Sequence, residues 1–494
     1  MFRKTLAAVS VSALLGPAAG LAATGPSSSQ TPYLHAIAPG VEFTSILSAG
    51  DAVKKYHDDE TYRMVGVPDG LGAYDNFDGT ITVLMNHELR PTQGISRAHG
   101  GKGAFVSKWQ IRKSDLKVLN GQDLMKTVKL WDPNTQSYVD GTGFGFTRFC
   151  SANLAPLSAF FNIKTGKGFF GGRIYMNGEE DDATGRAMAH IVGGRQDGTS
   201  YELPKMGRYA WENLLANPYP QDKTLVAGDQ DGGLNKVYFY IGEKQRRGTP
   251  IEMAGLTNGS LYELNIAGYT NDDPVTGFKS GTFTLVPSGG TSLARPEDGN
   301  WDTVNPNRYY FVTTASITGN TRLWRLTFDD IRDPMAGGTV EVLVDGNAVP
   351  SPQIKMMDNI TIDRRGNVYM QEDVGNNARL GQVWIYNPNT NTVTDLGQHD
   401  PNRFLSGGSD FLTQDEESSG IIDVTPFFWG VKGFDSWHNR YFLLDVQAHF
   451  LIDSAHPNGF TNPDELVEGG QLLLMTVPRV VDAGDDYDEN VNDF

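Results

Sequence analysis

One unit keeps returning along this chain and restricts it more than anything else. It is a short apolar run carrying an aromatic residue, closed within a few positions by glycine, asparagine or aspartate. Val237-Tyr238-Phe239-Tyr240, Ser260-Leu261-Tyr262-Glu263-Leu264, Arg322-Leu323-Trp324-Arg325-Leu326 and Gln382-Val383-Trp384-Ile385-Tyr386 are four instances. Runs of this length bounded by turn residues read as strands, and the 57 glycines scattered between them supply tight turns. A strand–turn–strand unit that cannot bury its own faces must stack on copies of itself. The expected fold class is therefore all-β, a β-propeller with few short helices and a blade count left open. A β-sandwich with long insertions is the rival arrangement. The best helix candidates are residues 115–130 and 209–216.

The two ends read differently from the middle. Arg3 and Lys4 precede an apolar and small-residue run over 6–15, and small residues over 17–23 allow cleavage near Ala22 or Ala23. The expected organisation is a secretory signal over 1–23, one propeller domain over 24–481 and an acidic tail over 482–494. The leader is too short to span a bilayer and no later run is long enough, so an exported protein, periplasmic or extracellular, without a membrane span is expected. Cys150 is the one cysteine, which excludes an intramolecular disulfide. Its thiol is then a buried small hydrophobe, an intermolecular partner or a ligand.

Charge narrows the partners. The formal net charge is −18, from 41 basic and 59 acidic residues. Nucleic acid is excluded, since its binding runs on clustered lysine and arginine. A phosphorylated small molecule would also be repelled unless positive charge sits in its site, and bound cations would supply that. No His-Glu-x-x-His, Cys-x-x-Cys, Gly-x-Ser-x-Gly, Walker loop or dinucleotide fingerprint occurs. What repeats is carboxylate at the ends of expected strands: Asn86-His87-Glu88, Glu179-Glu180-Asp181-Asp182, Trp211-Glu212, Asp229-Gln230-Asp231, Arg295-Pro296-Glu297-Asp298, Asp358-Asn359, Gln371-Glu372-Asp373 and Asp415-Glu416-Glu417. A single Glu-Asp step is ordinarily a solvated turn. A series of them in a propeller, whose inner strands aim at one channel, can converge around hard cations such as calcium, and added sulfur would suit iron. In Arg295-Pro296-Glu297-Asp298 the guanidinium offers a fork for two phosphate oxygens and Glu297 a metal ligand. Pro296 favours an extended Arg295. A surface ion pair is the plainer reading of that tetrapeptide.

Taken in order, these segments resemble the PhoX-type alkaline phosphatases. Asn86-His87-Glu88 is similar to the family's early metal motif and Cys150-Ser151 to its Cys-Ser step. The acid pair Glu179-Glu180, then Gly207-Arg208-Tyr209 leading to Glu212, Gly228-Asp229 and Arg295-Pro296-Glu297-Asp298 follow in the same order. Glu416-Glu417-Ser418-Ser419-Gly420 and Asp445-Val446-Gln447-Ala448-His449 resemble its closing segments. The resemblance covers about 43–475. It departs from the family where Ala152-Asn153-Leu154-Ala155-Pro156 follows the cysteine, at Trp211, where a histidine is expected, and in lacking twin arginines near the start.

The resemblance implies a propeller holding Ca2+ and Fe3+. Cys150, Glu212 and Glu297 would belong to the iron centre, Glu88, Glu179 and Asp229 would surround calcium, and Arg295 would bind the phosphoryl group. The expected function is an exported phosphatase in which metal-activated oxide or hydroxide attacks a small phosphate ester, with Arg295 and Glu297 catalytic. The alternatives are a non-catalytic calcium-stabilised surface propeller and a calcium-dependent phytase-like or lactonase propeller.

Overall fold

A computed structural model of the protein describes residues 23–273, 277–452 and 463–482. All of the expected signal except Ala23, and nearly all of the acidic tail, lie outside those residues.

The described chain is built of short antiparallel meanders, and each begins with its innermost strand. The first four strands of blade one are Pro68–Asp75, Thr80–His87, Phe105–Arg112 and Val118–Asp123. Blade two runs Phe149–Asn153, Arg173–Glu179, Ala187–Val192 and Thr199–Glu202. Blade three runs Leu215–Ala216, Lys223–Asp229, Val237–Glu243 and Ser260–Ile266. Blade four runs Pro296–Trp301, Arg308–Thr313, Arg322–Phe328 and Gly338–Asp345. Strand Ser280–Val286 pairs with the outer strands of both, joining blades three and four into one sheet. Blade five runs Met357–Ile362, Val368–Glu372, Gln382–Asn387 and Thr392–His399. Blade six runs Glu416–Asp423, Asn439–Leu451 and Glu468–Pro478, and its fourth strand is Glu42–Ser48 from the other end of the described chain.

The buried side chains show that the blades close into a ring. Strand residues alternate faces, so each sheet has two apolar faces to cover. Met176 and Ile191 of blade two pack with Val226 and Tyr238 of blade three, while their neighbours Tyr175 and Met188 pack with Leu84 and Phe105 of blade one. Phe239 meets Phe311 and Trp324 between blades three and four, and Val312 meets Ile360 and Met370 between four and five. Tyr369 and Ile385 meet Phe442 and Leu473 between five and six. Leu443 and Leu474 meet Leu71 and Val83 between six and one. Among the described residues this is a six-bladed β-propeller, whose blade count the sequence left open.

Neither helix candidate is helical. Residues 115–130 contain Val118–Asp123, paired with Phe105–Arg112, and part of Thr127–Asp132. A Cβ on Gly121 would stand 2.5 Å from the Tyr62 ring and 2.6 Å from Trp109, so the segment is held flat against aromatic faces. Residues 209–216 cross the pocket end of blade three, where Trp211 bridges to Gln230. The α-helices described are single turns, such as Pro250–Met253 with its Thr249–Glu252 capping box. None is long and apolar enough to cross a membrane.

Ring closure depends on Glu42–Ser48, whose Phe43 is buried in the blade five–six core. Phe43→Ala is expected to cost about 3–5 kcal/mol, read as a lower urea midpoint without loss of the site chemistry. A loss under about 1 kcal/mol would mean that the closing strand contributes little.

Candidate metal centre

At one end of the central channel the inner strands surround a pocket of about 280 Å3. Its lining holds ten carboxylates: Asp69, Glu88, Glu180, Glu212, Asp231, Glu297, Asp358, Asp373, Glu417 and Glu468. Cys150, His449, Arg90, Arg148 and Arg295 also line it.

One piece of backbone geometry is repeated around the ring. In every blade the inner strand starts at the pocket and the second strand returns to it. The outermost cross-strand pairs are Pro68↔His87, Phe149↔Glu179, Trp211↔Gln230, Pro296↔Thr313, Met357↔Glu372 and Glu416↔Ala448. One residue further along each strand stand Asp69 and Glu88, Cys150 and Glu180, Glu212 and Asp231, Glu297 and Thr314, Asp358 and Asp373, Glu417 and His449. All of these line the pocket except Thr314. In blades one, two, four and five the register shifts at this point of the inner strand. In blades two, four and five the bulge leaves Cys150, Glu297 and Asp358 out of the ladder, and in blade one it frees Gly70 beside Asp69, so the strand can re-aim these side chains toward the channel.

Backbone strain gathers at the same ring. Val67, Arg148, Arg295 and Met356, each directly before the first residue of an inner strand, have φ of 49°, 33°, 58° and 45°. Left-handed backbone is unfavourable for side chains like these and persists where surrounding structure imposes it. The extended Arg295 expected from Pro296 is thus corrected: ladder pairing at Pro296 and the bulge behind it override the local preference.

Both strained arginines are tied to carboxylates. Arg295 donates from Nε and Nη2 to Asp231 at 2.9 and 2.6 Å, and from Nη2 to Glu297 at 2.9 Å. Arg148 Nη1 lies 2.8 Å from Glu180 and 3.8 Å from Glu88. Gln447 Nε2 reaches Glu88 at 2.9 Å, Glu417 at 3.2 Å and Asp69 at 3.3 Å. Below them Ser151 donates to Glu212 at 2.8 Å and receives from Asn359 at 2.9 Å. His449 Nδ1 is 2.6 Å from Glu468.

Burial, reinforced by neighbouring acids, opposes ionisation here. Glu180 and Glu212 are each pushed up to about 8, mainly by burial. Asp69, Glu297, Asp358 and Glu417 rise well above the usual carboxylate range for the same reason, with mutual repulsion added. The Glu468 carboxylate outweighs burial at His449 and raises it to about 9.

The donor chemistry fits cations. Ligand atoms of Asp69, Glu88 and Cys150 lie within 4.8 Å of one another, as do those of Cys150, Glu180 and Glu212, and those of Glu212, Glu297 and Asp358. Oxygen sets of this kind suit calcium, and the sets containing sulfur suit a softer metal such as iron.

Of the residues expected from sequence, the fold brings together Glu88, Cys150, Glu212, Arg295 and Glu297. Glu179 and Asp229 do not line the pocket. Glu179 is paired with Phe149 and binds Arg186 at 2.9 Å, and Glu180 beside it faces the pocket instead. Asp229 lies deeper, accepting from Tyr309 at 2.7 Å and Asn213 at 3.2 Å, and Asp231 takes the rim. Arg148 and Asp69 were missed. A signal for each was present: Arg148 stands two before Cys150 as Arg295 stands two before Glu297, and Pro68-Asp69 matches Pro296-Glu297.

Burial and the surrounding acids also drive the Cys150 thiol well above its ordinary value. In chelator-treated protein at pH 8, Cys150 is expected to alkylate with iodoacetamide at least about 100-fold more slowly than free cysteine. Rapid modification of the folded protein would show that the thiol is neither buried nor opposed by the carboxylates.

No family model and no curated protein matches the chain. Solved structures do. PhoX of Pseudomonas fluorescens, in complex with vanadate, a transition-state analogue, is similar over 92% of this chain and 97% of that one, with TM-score 0.57 and 11% identity. The β-propeller domain of the Trilobed protease from Pyrococcus furiosus matches 80% of this chain and all of that one, at TM-score 0.32 and 8% identity. The first likeness is one of fold: this chain is a β-propeller with a PhoX-like fold.

Proposed function

We propose that this protein is an exported phosphatase that hydrolyses small phosphate esters at the acidic pocket with the help of calcium and iron. The observation carrying this reading is the convergence of ten carboxylates and one cysteine sulfur on a pocket that also holds two strained arginines. Without cations such a pocket would repel any phosphate. Cys150, Glu180 and Glu212 are the set suited to iron, with Asp69 and Glu88 on one side and Glu297 and Asp358 on the other suited to calcium. Bound cations would offset the carboxylate charge, polarise the phosphoryl oxygens and activate the attacking water.

The chain's own groups bind and orient. Arg295 is held rigidly by Asp231 and Glu297 through Nε and Nη2, which leaves Nη1 for a phosphoryl oxygen. Arg148, anchored on Glu180, provides a second positive group in blade two. Glu468 holds His449 protonated at neutral pH, so its Nε2–H can be given to the leaving oxygen. None of the chain's side chains need act as nucleophile.

The test is metal analysis of protein from its native export route, with turnover on a panel of phosphomonoesters, phosphodiesters and lactones. Iron with calcium and monoester turnover is expected. Calcium alone with no turnover would replace this reading by a calcium-stabilised surface propeller, and lactone turnover by a lactonase.

A further inference from the structure

Three arginines line the acidic pocket, and two of them are tied to acids. Arg295 is shared between Asp231 and Glu297, and Arg148 lies on Glu180 with Glu88 beyond it. His449, the other basic group there, is taken by Glu468. Arg90 differs. Ten carboxylates line the same pocket, yet among the described residues none lies within ion-pair distance of its guanidinium, which stands exposed at the rim.

Its side chain is free but its backbone is not. The Arg90 N–H donates to Gln93 Oε1 at 2.7 Å, and the Gln93 N–H returns to the Arg90 carbonyl at 2.9 Å. The Arg148 N–H donates to the Leu89 carbonyl at 2.9 Å, which ties this turn to blade two. Pro91 is seated on Gly103, where a Cβ would stand 2.8 Å from the Pro91 Cα. The base of Arg90 is therefore fixed against the pocket wall, two residues after Glu88. Gln93 lines the pocket as well. A backbone N–H needs an acceptor, so the Gln93 amide oxygen is committed to Arg90 and its Nε2 group remains a donor.

The two kinds of arginine suit different tasks. One clamped by acids is held in place with part of its charge already neutralised. One without an acid partner keeps its charge and its forked N–H groups for a ligand, and no ion pair must break when an anion arrives. Arg90 stands on a different loop from the arginines offered to the phosphoryl group. An anion that meets it would belong to the rest of the substrate.

We propose that Arg90, with the Gln93 amide beside it, binds a second anionic group carried by the alcohol portion of the substrate, a carboxylate or a further phosphate. The substrate class is then phosphate monoesters of acidic alcohols. This inference rests on the phosphatase reading of the pocket. A contact remote from the breaking bond is equally present before and during cleavage, so it acts on KM more than on kcat.

The test is the ratio of kcat/KM for para-carboxyphenyl phosphate to that for its neutral counterpart, para-carbamoylphenyl phosphate, with para-phenylene bisphosphate as a third arm. Arg90→Gln should lower the ratio about tenfold at low salt, mainly through KM, and Arg90→Lys should lower it less. In the intact protein the ratio should also fall at about 0.5 M salt. Whichever of the carboxylate and bisphosphate arms loses more identifies the group that is bound. A ratio in Arg90→Gln within about twofold of the intact protein's overturns the proposal. That includes an equal loss on every ester, which would put Arg90 on the phosphoryl group they share. Calorimetric titration of the inert para-carboxybenzyl and para-carbamoylbenzyl phosphonates into the protein as purified keeps the two readings apart. A charge preference that Arg90→Gln abolishes, without turnover of any ester, would end the phosphatase reading and keep the Arg90 subsite. Turnover with no such preference would do the reverse, and the absence of both would end both.

Discussion

Replacing Arg295 by alanine is expected to lower kcat/KM on an aryl phosphate by about 10³-fold or more, the scale on which a charge-stabilising arginine acts in phosphoryl transfer. Two effects run in the same direction. The variant loses the guanidinium that would meet the phosphoryl group, and it leaves Asp231 and Glu297 without the cation they share at 2.6 and 2.9 Å. The pocket becomes more negative where an anion must enter. Arg295→Lys should recover only a small part, because an ammonium cannot hold both carboxylates and still present a second planar donor. Activity within about threefold of the intact protein, in a folded and metal-loaded variant, would remove Arg295 from the reaction.

Chelation should produce the largest change in stability. Three donor sets crowd one pocket, and ions held there at concentrations far above their dissociation constants would contribute several kcal/mol in total. Removing them is expected to lower Tm by about 10 °C or more at pH 8. The sign of the pH dependence follows from Glu180 and Glu212, which lie at about 8 in the fold against an ordinary value of 4.5. A carboxylate raised by folding binds more protons folded than unfolded. Its contribution is fully present below about pH 4.5 and lost as pH climbs through about 8. Metal-free protein should therefore melt higher at pH 5 than at pH 8, and calcium should flatten that slope. Glu212→Gln separates the two states. It should raise the metal-free stability at pH 8 by roughly 2–4 kcal/mol, because a buried charge disappears. With metals present it should lower both stability and metal content. A metal-free protein that gains stability between pH 5 and pH 8 would contradict the crowding of buried carboxylates.

Much of the site was legible as composition at strand ends and little of it as geometry. Glu88, Cys150, Glu212, Arg295 and Glu297 were recognisable because each follows an apolar run or stands in a distinctive step. Within Glu179-Glu180-Asp181-Asp182, however, any acid could have faced the channel. Pairing of Phe149 with Glu179 decides that Glu180 does. A one-residue change of register exchanges the two faces of a strand, and local sequence carries no record of which partner it will meet. Asp229 and Asp231 pose the same problem. The backbone at Arg295 is similar, since a proline's local preference gave way to a bulge set by the neighbouring strand.

The amino-acid sequence alone determined that this chain forms many short strands, that it carries no disulfide within itself, and that it is strongly acidic. Those properties depend on residue type and near neighbours. Only the tertiary structure decided that there are six blades and that Asp69 and Arg148 belong to the pocket. Each of these depends on residues hundreds of positions apart sharing one register around a closed ring, because strand pairing and interblade packing are long-range and alternate with every residue.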